Sequence, residues 1–315
     1  MGALIPSEFE RVEMRATIQL CTYNRAHLLG RVLDACFEQT VPSASYEVVL
    51  VNDGSTDGSA AVIEAARGRA TCAFVVVEQP NAGLARARNA GIARARGERI
   101  IFIDDDVLPT PVFVAEHLRS HDRRPAAIVR GAVINTESFD RLPTPTWTIA
   151  NYSANYFWTT NVSLPLETLR RLGNFSESFR EYGWEDIELG MRLRAAGVRG
   201  VFNRFALAFH YKPRPRARDV EGMLRQARAQ ARTAVALRQL HPHWRVVLAT
   251  GDDPVRRTFH RGVRSLGLVR ALERRVGDRA ADRALGAGQL AAARALAHEA
   301  YFSELDAERA RRAAP

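Results

Sequence analysis

The sequence predicts an α/β protein with a doubly wound, mostly parallel β-sheet in residues 1–212 and a basic, α-helical region in residues 213–315. The sheet is predicted because, over about the first 110 residues, short apolar runs alternate with segments of helical periodicity. This is the order of strands joined by crossover helices. The helical region is predicted because the chain beyond residue 212 is rich in alanine, arginine and leucine at helical spacing and poor in β-branched residues.

The composition is that of a folded protein with a sizeable core. Of the 315 residues, 46% are apolar and 25% are charged, which excludes intrinsic disorder and collagen-like repeats. The three cysteines, Cys21, Cys36 and Cys72, lie in apolar stretches without a C-x-x-C pair, so we expect reduced core residues and no zinc site. No apolar run approaches the roughly 20 residues that span a bilayer, and residues 1–15 lack the apolar segment of a secretion signal. We therefore expect a cytoplasmic protein without membrane spans.

Strands and helices are predicted in strict alternation in the first part of the chain. The predicted strands are Ala16–Thr22, Tyr46–Val51, Cys72–Glu78 and Arg99–Asp104, and the predicted helices run from about Arg25 to Gln39, Ser59 to Arg67 and Gly83 to Arg96. The pattern then loosens, with strands predicted within 126–134, 156–164 and 198–210 and helices at Leu166–Leu172 and near Glu185–Ala196. The proline- and arginine-rich segment 212–218 marks a boundary, and we expect three to five helices after it.

Polar residues follow three of the predicted strands at their carboxyl ends: Thr22–Arg25, Asn52–Ser55 and Asp104–Asp106. In doubly wound sheets these ends meet at one edge, which is where such sheets bind ligands. Asp53 is placed there to accept hydrogen bonds from a ribose or a base, although a turn of this composition is common in proteins. The sequence therefore predicts a binding site at this edge.

The strongest local signal is the run Asp104-Asp105-Asp106 after the apolar segment Ile100–Ile103. Adjacent carboxylates repel one another, and a hard divalent cation with diphosphate oxygens as further ligands removes that repulsion. Alternate side chains of an extended segment share a side, so we expect Asp104 and Asp106 to converge while Asp105 points elsewhere. The alternative is an acidic loop in solvent.

The segment Asn81–Ile92 opens a predicted helix and carries Arg86 and Arg88 in its first turns. Basic side chains near a helix N-terminus suit a diphosphate. The alternative is an amphipathic helix whose arginines face water.

A Glu185-Asp186 pair follows a Gly-Trp turn at the start of another predicted helix. Acidic residues are favoured there by the helix dipole alone. The functional interpretation is a general base that takes a proton from an acceptor hydroxyl, with Trp184 as a flat stacking surface. His210 ends an apolar strand and is either a core histidine or a metal ligand. Residues 151–161 are rich in aromatic and amide side chains, which suits carbohydrate recognition or a short edge strand.

In their order and spacing, these motifs resemble the family 2 glycosyltransferases, which have the GT-A fold. The matching segments cover residues 15–212 and are Thr22–Arg25, Asn52–Ser55, Asn81–Gly91, Asp104–Asp106, Gly173–Phe175, Trp184–Asp186 and His210. The resemblance implies a nucleotide-binding half at 15–125 and an acceptor half at 126–212.

The resemblance also implies roles for individual residues. The donor nucleotide would contact Thr22, Tyr23, Asn24, Arg25, Asp53, Asn81, Arg86, Arg88, Asp104 and Asp105. Mg²⁺ or Mn²⁺ would bind Asp104, Asp106 and His210, with Asp106 as the direct ligand. Asp186, preceded by Glu185, matches the general base of an inverting transfer. The acceptor would contact Trp184, Asn161 and Trp158.

The implied activity is an inverting, metal-dependent transfer of one sugar from a nucleotide sugar to an acceptor hydroxyl. The donor would be a UDP-sugar first of all, and otherwise a GDP- or dTDP-sugar. The acceptor would be a carbohydrate, a lipid-linked molecule or a small molecule, in the synthesis of cell-surface polysaccharide, glycolipid or natural-product glycosides. The chain lacks the Q-x-x-R-W element of processive members, since the nearest stretch, Gln226–Arg232, has no tryptophan. This favours transfer of a single sugar.

The positive charge is concentrated in the C-terminal region, where residues 212–315 contain 22 basic and 11 acidic residues, against 23 and 24 in residues 1–211. This region either presents a solvated helical face or docks on an anionic membrane, a partner chain or a second copy. No nucleic-acid-binding motif accompanies the charge, which disfavours nucleic acid as a partner. Two other functions stay open. A nucleotidyltransferase is disfavoured because Thr22–Arg25 contains no glycine, and a non-catalytic scaffold that binds nucleotide or carbohydrate is disfavoured by the intact acidic set.

Overall fold

The computed structural model describes residues 13–151 and 155–313, and it has the α/β architecture that the sequence predicts. Eight strands are β1 (Ala16–Thr22), β2 (Tyr46–Asp53), β3 (Ala73–Gln79), β4 (Arg99–Ile103), β5 (Val107–Pro109), β6 (Ile128–Thr136), β7 (Asn161–Pro165) and β8 (Gly200–Tyr211). Six helices cover them: α1 (Ala26–Phe37), α2 (Ser59–Arg67), α3 (Leu84–Arg94), α4 (Phe113–Arg123), α5 (Leu166–Arg171) and α6 (Glu185–Ala195). In the described chain the strands form one mixed sheet in the order β3-β2-β1-β4-β7-β6-β8-β5.

The parallel half of the sheet agrees closely with the prediction. β1 pairs in parallel with β2 and β4, and β2 pairs in parallel with β3. Ile18 of β1 lies between Val48 and Ile101, and all three side chains are fully buried. Strands that are buried on both faces read as continuous apolar runs, which is why the sequence locates them well.

The other half of the sheet is partly antiparallel. β7 runs antiparallel to β4 and β6, β5 runs antiparallel to β8, and β6 and β8 are parallel. The sequence analysis did not predict β5 or α4. β5 has three residues and ends in proline, and the buried face of α4 includes Glu116, His117, Ser120 and His121, so neither shows a clear apolar pattern.

Five helices follow β8 in the described chain: α7 (Val220–Leu240), α8 (Trp244–Ala249), α9 (Pro254–Ser265), α10 (Leu268–Val276) and α11 (Ala287–Ala313). α7 and α11 lie along each other and share an apolar cluster of their own. α7 also contacts the sheet domain, which is the part of the chain from β1 to β8. Leu237 of α7 packs there against Phe179 and against Ile187 of α6. The helical region is therefore joined to α6 by direct packing.

The cysteines and the membrane expectations can be checked in the described residues. Cys21, Cys36 and Cys72 are free thiols, and burial raises the pKa of Cys21 to about 12, so this thiol stays protonated at neutral pH. No helix within residues 13–151 and 155–313 combines the length and apolarity needed to cross a bilayer. The expectation about a secretion signal concerns residues 1–15, of which 1–12 lie outside the described chain.

β7 and α4 enclose a buried polar network. Ser163 Oγ lies 2.8 Å from His117 Nδ1 and 2.8 Å from His121 Nε2, and Asn161 Oδ1 lies 2.9 Å from His117 Nε2. Asn161 Nδ2 donates to two backbone carbonyls, so its Oδ1 must accept, and His117 carries its proton on Nε2. Burial lowers the pKa of His117 to about 4 and that of His121 to about 3, so both rings are neutral at neutral pH.

These buried histidines predict a fold that loses stability in mild acid. An unfolded histidine titrates near 6.5, above its pKa in the fold, so the unfolded state binds protons first as the pH falls. The free energy of unfolding should therefore decrease between about pH 6.5 and pH 4, by on the order of 3 kcal/mol from His117 alone. Urea denaturation at about pH 7 and about pH 4.5 measures this decrease.

His117→Gln should have a smaller pH dependence than the parent protein, because glutamine does not titrate. His27→Gln removes an exposed histidine of α1 and should leave the pH dependence unchanged. Equal pH dependence in His117→Gln and the parent would contradict a buried, neutral His117.

Candidate active site

The loops after β1, β2 and β4 lie side by side at the carboxyl ends of the parallel strands, where the sequence places the site. Asn24 joins the first two loops. Its Oδ1 accepts hydrogen bonds from the backbone N–H groups of Thr56 (2.7 Å) and Asp57 (3.3 Å), and its own N–H donates to Ser55 Oγ (3.0 Å). Asn24 has a positive φ of 56°, a conformation that asparagine adopts more readily than most residues.

Asp53 holds the loop that precedes α3. It is buried, and its carboxylate accepts hydrogen bonds from Gln79 Nε2 (2.6 Å) and from the backbone N–H groups of Ala82 (2.9 Å) and Gly83 (3.1 Å). The loop also passes close to Gly54, whose φ is +75° and where a Cβ would lie 2.6 Å from a backbone nitrogen. In the structure Asp53 therefore positions this loop, and its contact with a nucleotide stays a prediction.

Four of the predicted donor residues lie along the same edge with side chains open to solvent, and these are Tyr23, Arg25, Asn81 and Arg86. Arg86 Nε donates to Glu177 Oε2 at 3.0 Å. Because more than half of the Arg86 side chain is exposed, this ion pair contributes little to stability. The guanidinium could therefore exchange its carboxylate partner for a diphosphate at small cost.

Asp104 and Asp105 have different surroundings, but the segment is a turn closed by a hydrogen bond from the Val107 N–H to the Asp104 carbonyl at 3.1 Å, and not the extended segment that the prediction assumed. Asp104 stays partly exposed, and its Oδ2 accepts a hydrogen bond from Thr160 Oγ1 at 2.8 Å. Asp105 lies beneath the edge, close to Thr22 and Arg25. Burial raises the pKa of Asp105 to about 7, so its carboxyl group is protonated in a substantial fraction of molecules at neutral pH.

Asp106 faces two nitrogen groups across the edge. Its Oδ1 lies 3.6 Å from His210 Nε2, and its Oδ2 lies 3.7 Å from Arg25 Nη2. Both distances are too long for hydrogen bonds. Burial and the neighbouring Asp104 raise the pKa of Asp106, which means that this carboxylate lacks a full counter-charge.

The residues around Asp106 fit a hard divalent cation in part. Among the residues that the structure describes, no three acidic, histidine or cysteine side chains converge closely enough to hold a metal ion by themselves. Asp106 and His210 supply one carboxylate and one imidazole, and His210 Nδ1 is buried without a hydrogen-bond partner. Mg²⁺ is commonly bound by one or two carboxylates together with substrate phosphates, so this donor set suits a metal that arrives with a diphosphate.

Arg88 links the loop Asp104–Asp106, the aspartate loop, to α6. It is buried, and its guanidinium donates to Glu185 Oε1 (2.7 Å) and Thr159 Oγ1 (2.6 Å) and lies 3.5 Å from Asp104 Oδ1. The ring of Phe175 covers the guanidinium at 5.2 Å. The side chain that the sequence analysis assigned to a diphosphate is therefore enclosed by this chain's own groups and positions two carboxylates.

Glu185 and Asp186 begin α6 after a strained turn, in which Gly183 has φ +110° and Trp184 has φ +70°. Glu185 is paired with Arg88, whereas Asp186 accepts a hydrogen bond from a backbone N–H at 2.7 Å. Burial and then the negative charge of Glu185 raise the pKa of Asp186 to about 7, although Arg88 opposes the shift. A carboxyl group with this pKa can gain or lose a proton near neutral pH.

A cavity of about 520 Å³ opens beside this turn, between the sheet domain and the C-terminal helices. Tyr182 and Trp184 line it on one side, and α7, α11 and the α8–α9 turn line it on the other. Trp184 Nε1 donates to the backbone carbonyl of Gln230 in α7 at 2.8 Å, which fixes the indole. The sequence analysis missed the lining residues of the C-terminal helices, among them Arg256 and Arg294, because no motif marks them.

Two of the three predicted acceptor residues, Asn161 and Trp158, lie at or just before the start of β7. Asn161 is buried in β7 with its amide engaged by His117 and two carbonyls, so it has no access to an acceptor, and that prediction is wrong. In the same segment Phe157 is fully buried in the core and Tyr156 packs against it. Trp158 is half-buried next to Thr159 and stays a candidate. Residues 152–154 of the predicted carbohydrate segment lie outside the described chain.

Comparisons with known proteins identify relatives of this chain. A family model described as Glycosyl transferase family 2 matches residues 17–182. Validoxylamine A glucosyltransferase of Streptomyces hygroscopicus subsp. jinggangensis is 31% identical over 218 residues, which are 58% of this chain and 52% of that protein. The chain thus spans about half the length of the curated relatives it matches.

Two solved structures share the fold at low sequence identity. The mannosyltransferase PcManGT from Pyrobaculum calidifontis, in complex with GDP-Man and Mn²⁺, has a TM-score of 0.56 at 20% identity and covers 95% of this chain and 74% of its own. Residues 1–349 of Staphylococcus aureus TarS give 0.55 at 18% identity, over 94% of this chain and 91% of that chain. These likenesses confirm the predicted GT-A fold. Because the family model matches more than half of its residues, the chain belongs to glycosyl transferase family 2.

Proposed function

We propose that this protein transfers a single sugar, with inversion, from a nucleotide sugar to an acceptor hydroxyl, with a divalent metal at the donor diphosphate. The observation that carries the proposal is the buried Arg88, which contacts Asp104 on the donor side and Glu185 on the acceptor side. One side chain thus couples the loop that would face the diphosphate to the acidic pair that contains the proposed base. Such coupling suits a reaction whose donor and acceptor must be held in a fixed geometry.

The donor nucleotide would lie along the three loops at the sheet edge. Tyr23 and Arg25 are open to solvent there, beside the aspartate loop. Similar structures contain GDP-Man in PcManGT and UDP in TarS, so we infer a UDP- or GDP-sugar, with a dTDP-sugar as the remaining candidate. Arg86 and the N–H groups at the start of α3 would face the diphosphate.

The metal would be held by Asp106 and His210, with Asp104 beside it and diphosphate oxygens as the remaining ligands. When bound, Mg²⁺ or Mn²⁺ offsets the negative charge that develops on the leaving diphosphate. Arg25, at 3.7 Å from Asp106, adds a positive charge at the same edge.

Asp186 would serve as the general base. With a pKa of about 7, it is ionised in a substantial fraction of molecules at neutral pH and can hold the proton that the acceptor hydroxyl loses. Glu185 keeps Asp186 basic by its negative charge, and Arg88 holds Glu185 in place. An acceptor on the Asp186 side would attack the anomeric carbon opposite the diphosphate, which inverts its configuration.

The acceptor would enter the cavity next to Tyr182 and Trp184. Its walls are largely apolar and aromatic, which suits the face of a sugar ring. Arg256 and Arg294 add positive charge on the side of the C-terminal helices. The relatives are named for acceptors as different as validoxylamine A and poly(ribitol-phosphate), so we infer a hydroxyl-rich acceptor.

Nucleotide binding can be tested by thermal unfolding of the full chain with UDP, GDP, dTDP or CDP, each with Mn²⁺ or with EDTA. We expect one diphosphate to raise the Tm, and only when metal is present. At a hundred times its Kd, a ligand adds about 2.7 kcal/mol of stability. Asp106→Asn should abolish the shift, because it removes the charged metal ligand.

Asp140→Asn is the matched control for that experiment, since Asp140 is an exposed aspartate whose partner is Arg31. It should leave the nucleotide-dependent shift intact. A chain that no nucleotide stabilises would contradict the donor site and would favour the scaffold alternative.

Asp186→Asn should separate chemistry from donor binding. The donor in this assay is the sugar nucleotide that contains the diphosphate found to raise the Tm. We expect the release of nucleoside diphosphate from this donor to slow by about 10²–10⁴-fold, because the amide cannot accept the proton. The Kd of the donor should change by no more than about twofold, since Asp186 does not belong to the donor edge. A parallel loss of donor binding and turnover would assign Asp186 a structural role instead.

The pH dependence of kcat/KM tests how Asp186 is tuned. The rate should fall about tenfold per pH unit below about pH 7, where Asp186 is protonated. In Glu185→Gln the neighbouring negative charge is gone while Arg88 remains, so the pKa of Asp186 decreases. The acidic limb should move to lower pH by about one unit. Glu181→Gln, at an exposed acid paired with Arg232, should not move it, and a shift to higher pH in Glu185→Gln would contradict the assignment.

A further inference from the structure

Helix α9 (Pro254–Ser265) is oriented with its apolar side towards solvent. Val255, Phe259 and the adjoining Leu266 are 78%, 75% and 74% exposed. Their spacing of four and seven residues places them on one stripe along the helix. In a helix on the surface of a soluble protein, such a stripe normally faces the core.

The polar side of α9 is the side that packs. His260 is buried, and its Nδ1 lies 2.6 Å from Glu299 Oε2 of α11. Arg257 Nε donates to the buried Asp252 at 2.6 Å, and Arg264 Nε lies 3.4 Å from Glu299 Oε1. Burial lowers the pKa of His260, so its contact with Glu299 is made by a neutral ring, whereas the two arginines form ion pairs. Together these contacts fix the rotation of the helix and leave its apolar stripe exposed.

Positively charged residues border the stripe. Arg256 and Arg261 are exposed on its two sides, and Trp244 and Leu248 of the preceding helix α8 are also largely exposed. The apolar stripe with arginines at its borders continues the basic character of residues 212–315. This combination matches helices that lie in the plane of a membrane surface, with the apolar side among the acyl chains and cations at the lipid headgroups.

We propose that α9 docks the protein on an anionic lipid surface. The positive charge favours a lipid surface over a second copy of the chain as the partner of α9. A symmetric dimer through the stripe would bring Arg256 and Arg261 of both copies together. An anionic bilayer instead supplies the opposite charge. The proposal is independent of the glycosyl transfer. Because Arg256 also lines the 520 Å³ cavity, docking would bring that cavity close to the bilayer.

Co-sedimentation of the full chain with lipid vesicles tests the proposal. The vesicles are phosphatidylcholine alone, or phosphatidylcholine with about 30% phosphatidylglycerol, which supplies the negative surface charge. We expect binding to the anionic vesicles that weakens as salt is raised. The double variant Val255→Ser with Phe259→Ser should bind about tenfold more weakly, and Arg256→Gln or Arg261→Gln about fivefold each.

Phe205→Ser is the matched control, because Phe205 is an exposed aromatic side chain of β8, outside the helical region. It should bind vesicles like the parent. All variants change solvent-exposed side chains, and an unchanged Tm shows that they fold. Absence of vesicle binding, or equal binding by parent and double variant, would overturn the proposal. So would a dimer of the parent in sedimentation velocity that the double variant dissociates, because the stripe would then be an interface between copies.

Discussion

The site depends on one buried cation. Arg88 is enclosed by the sheet and by the ring of Phe175, and a buried guanidinium is stable only when its donors are used and its charge is balanced. Its partners are Glu185, Thr159 and Asp104, which come from segments far apart in the sequence. Removing any one carboxylate leaves part of a buried charge uncompensated, so the aspartate loop and the start of α6 are held in place together. The contacts of Arg88 with Asp104 and Glu185 therefore hold the aspartate loop and the start of α6 at a fixed distance.

The C-terminal helices complete that arrangement from the other side. A Cβ on Gly183 would lie 3.0 Å from Gln230 of α7, and Trp184 donates to the backbone of the same residue. Arg232 of α7 pairs with Glu181, which lies four positions before Glu185 in the sequence. The positive φ values at Gly183 and Trp184 are therefore maintained by packing against α7. For this reason the acidic pair and the cavity belong to the sheet domain and the helical region jointly.

The parts of this arrangement that are local in sequence were predictable. Runs such as Ile100–Ile103 identify buried strands, and polar residues after them identify the binding edge. What the sequence could not supply is the partner of each polar group. Nothing near Asn161 distinguishes an acceptor ligand from a residue that orients His117, and nothing near Arg88 indicates that the side chain points into the core. Both outcomes depend on contacts between residues more than forty positions apart.

The same limit explains why an amphipathic pattern does not reveal which side of a helix is buried. In α4 the apolar residues Phe113 and Leu118 face the core together with four polar residues. In α9 the charged side faces inward. Arg257 contacts the buried Asp252, and Arg264 lies near Glu299. Asp252 also pairs with Arg238 and Arg309 outside α9. Burying carboxylates is costly unless cations pair with them, and the inward side of α9 contributes two such cations, Arg257 and Arg264. With the charged side of α9 engaged inside the helical region, its apolar stripe is exposed, which makes that surface available for contact with a lipid bilayer.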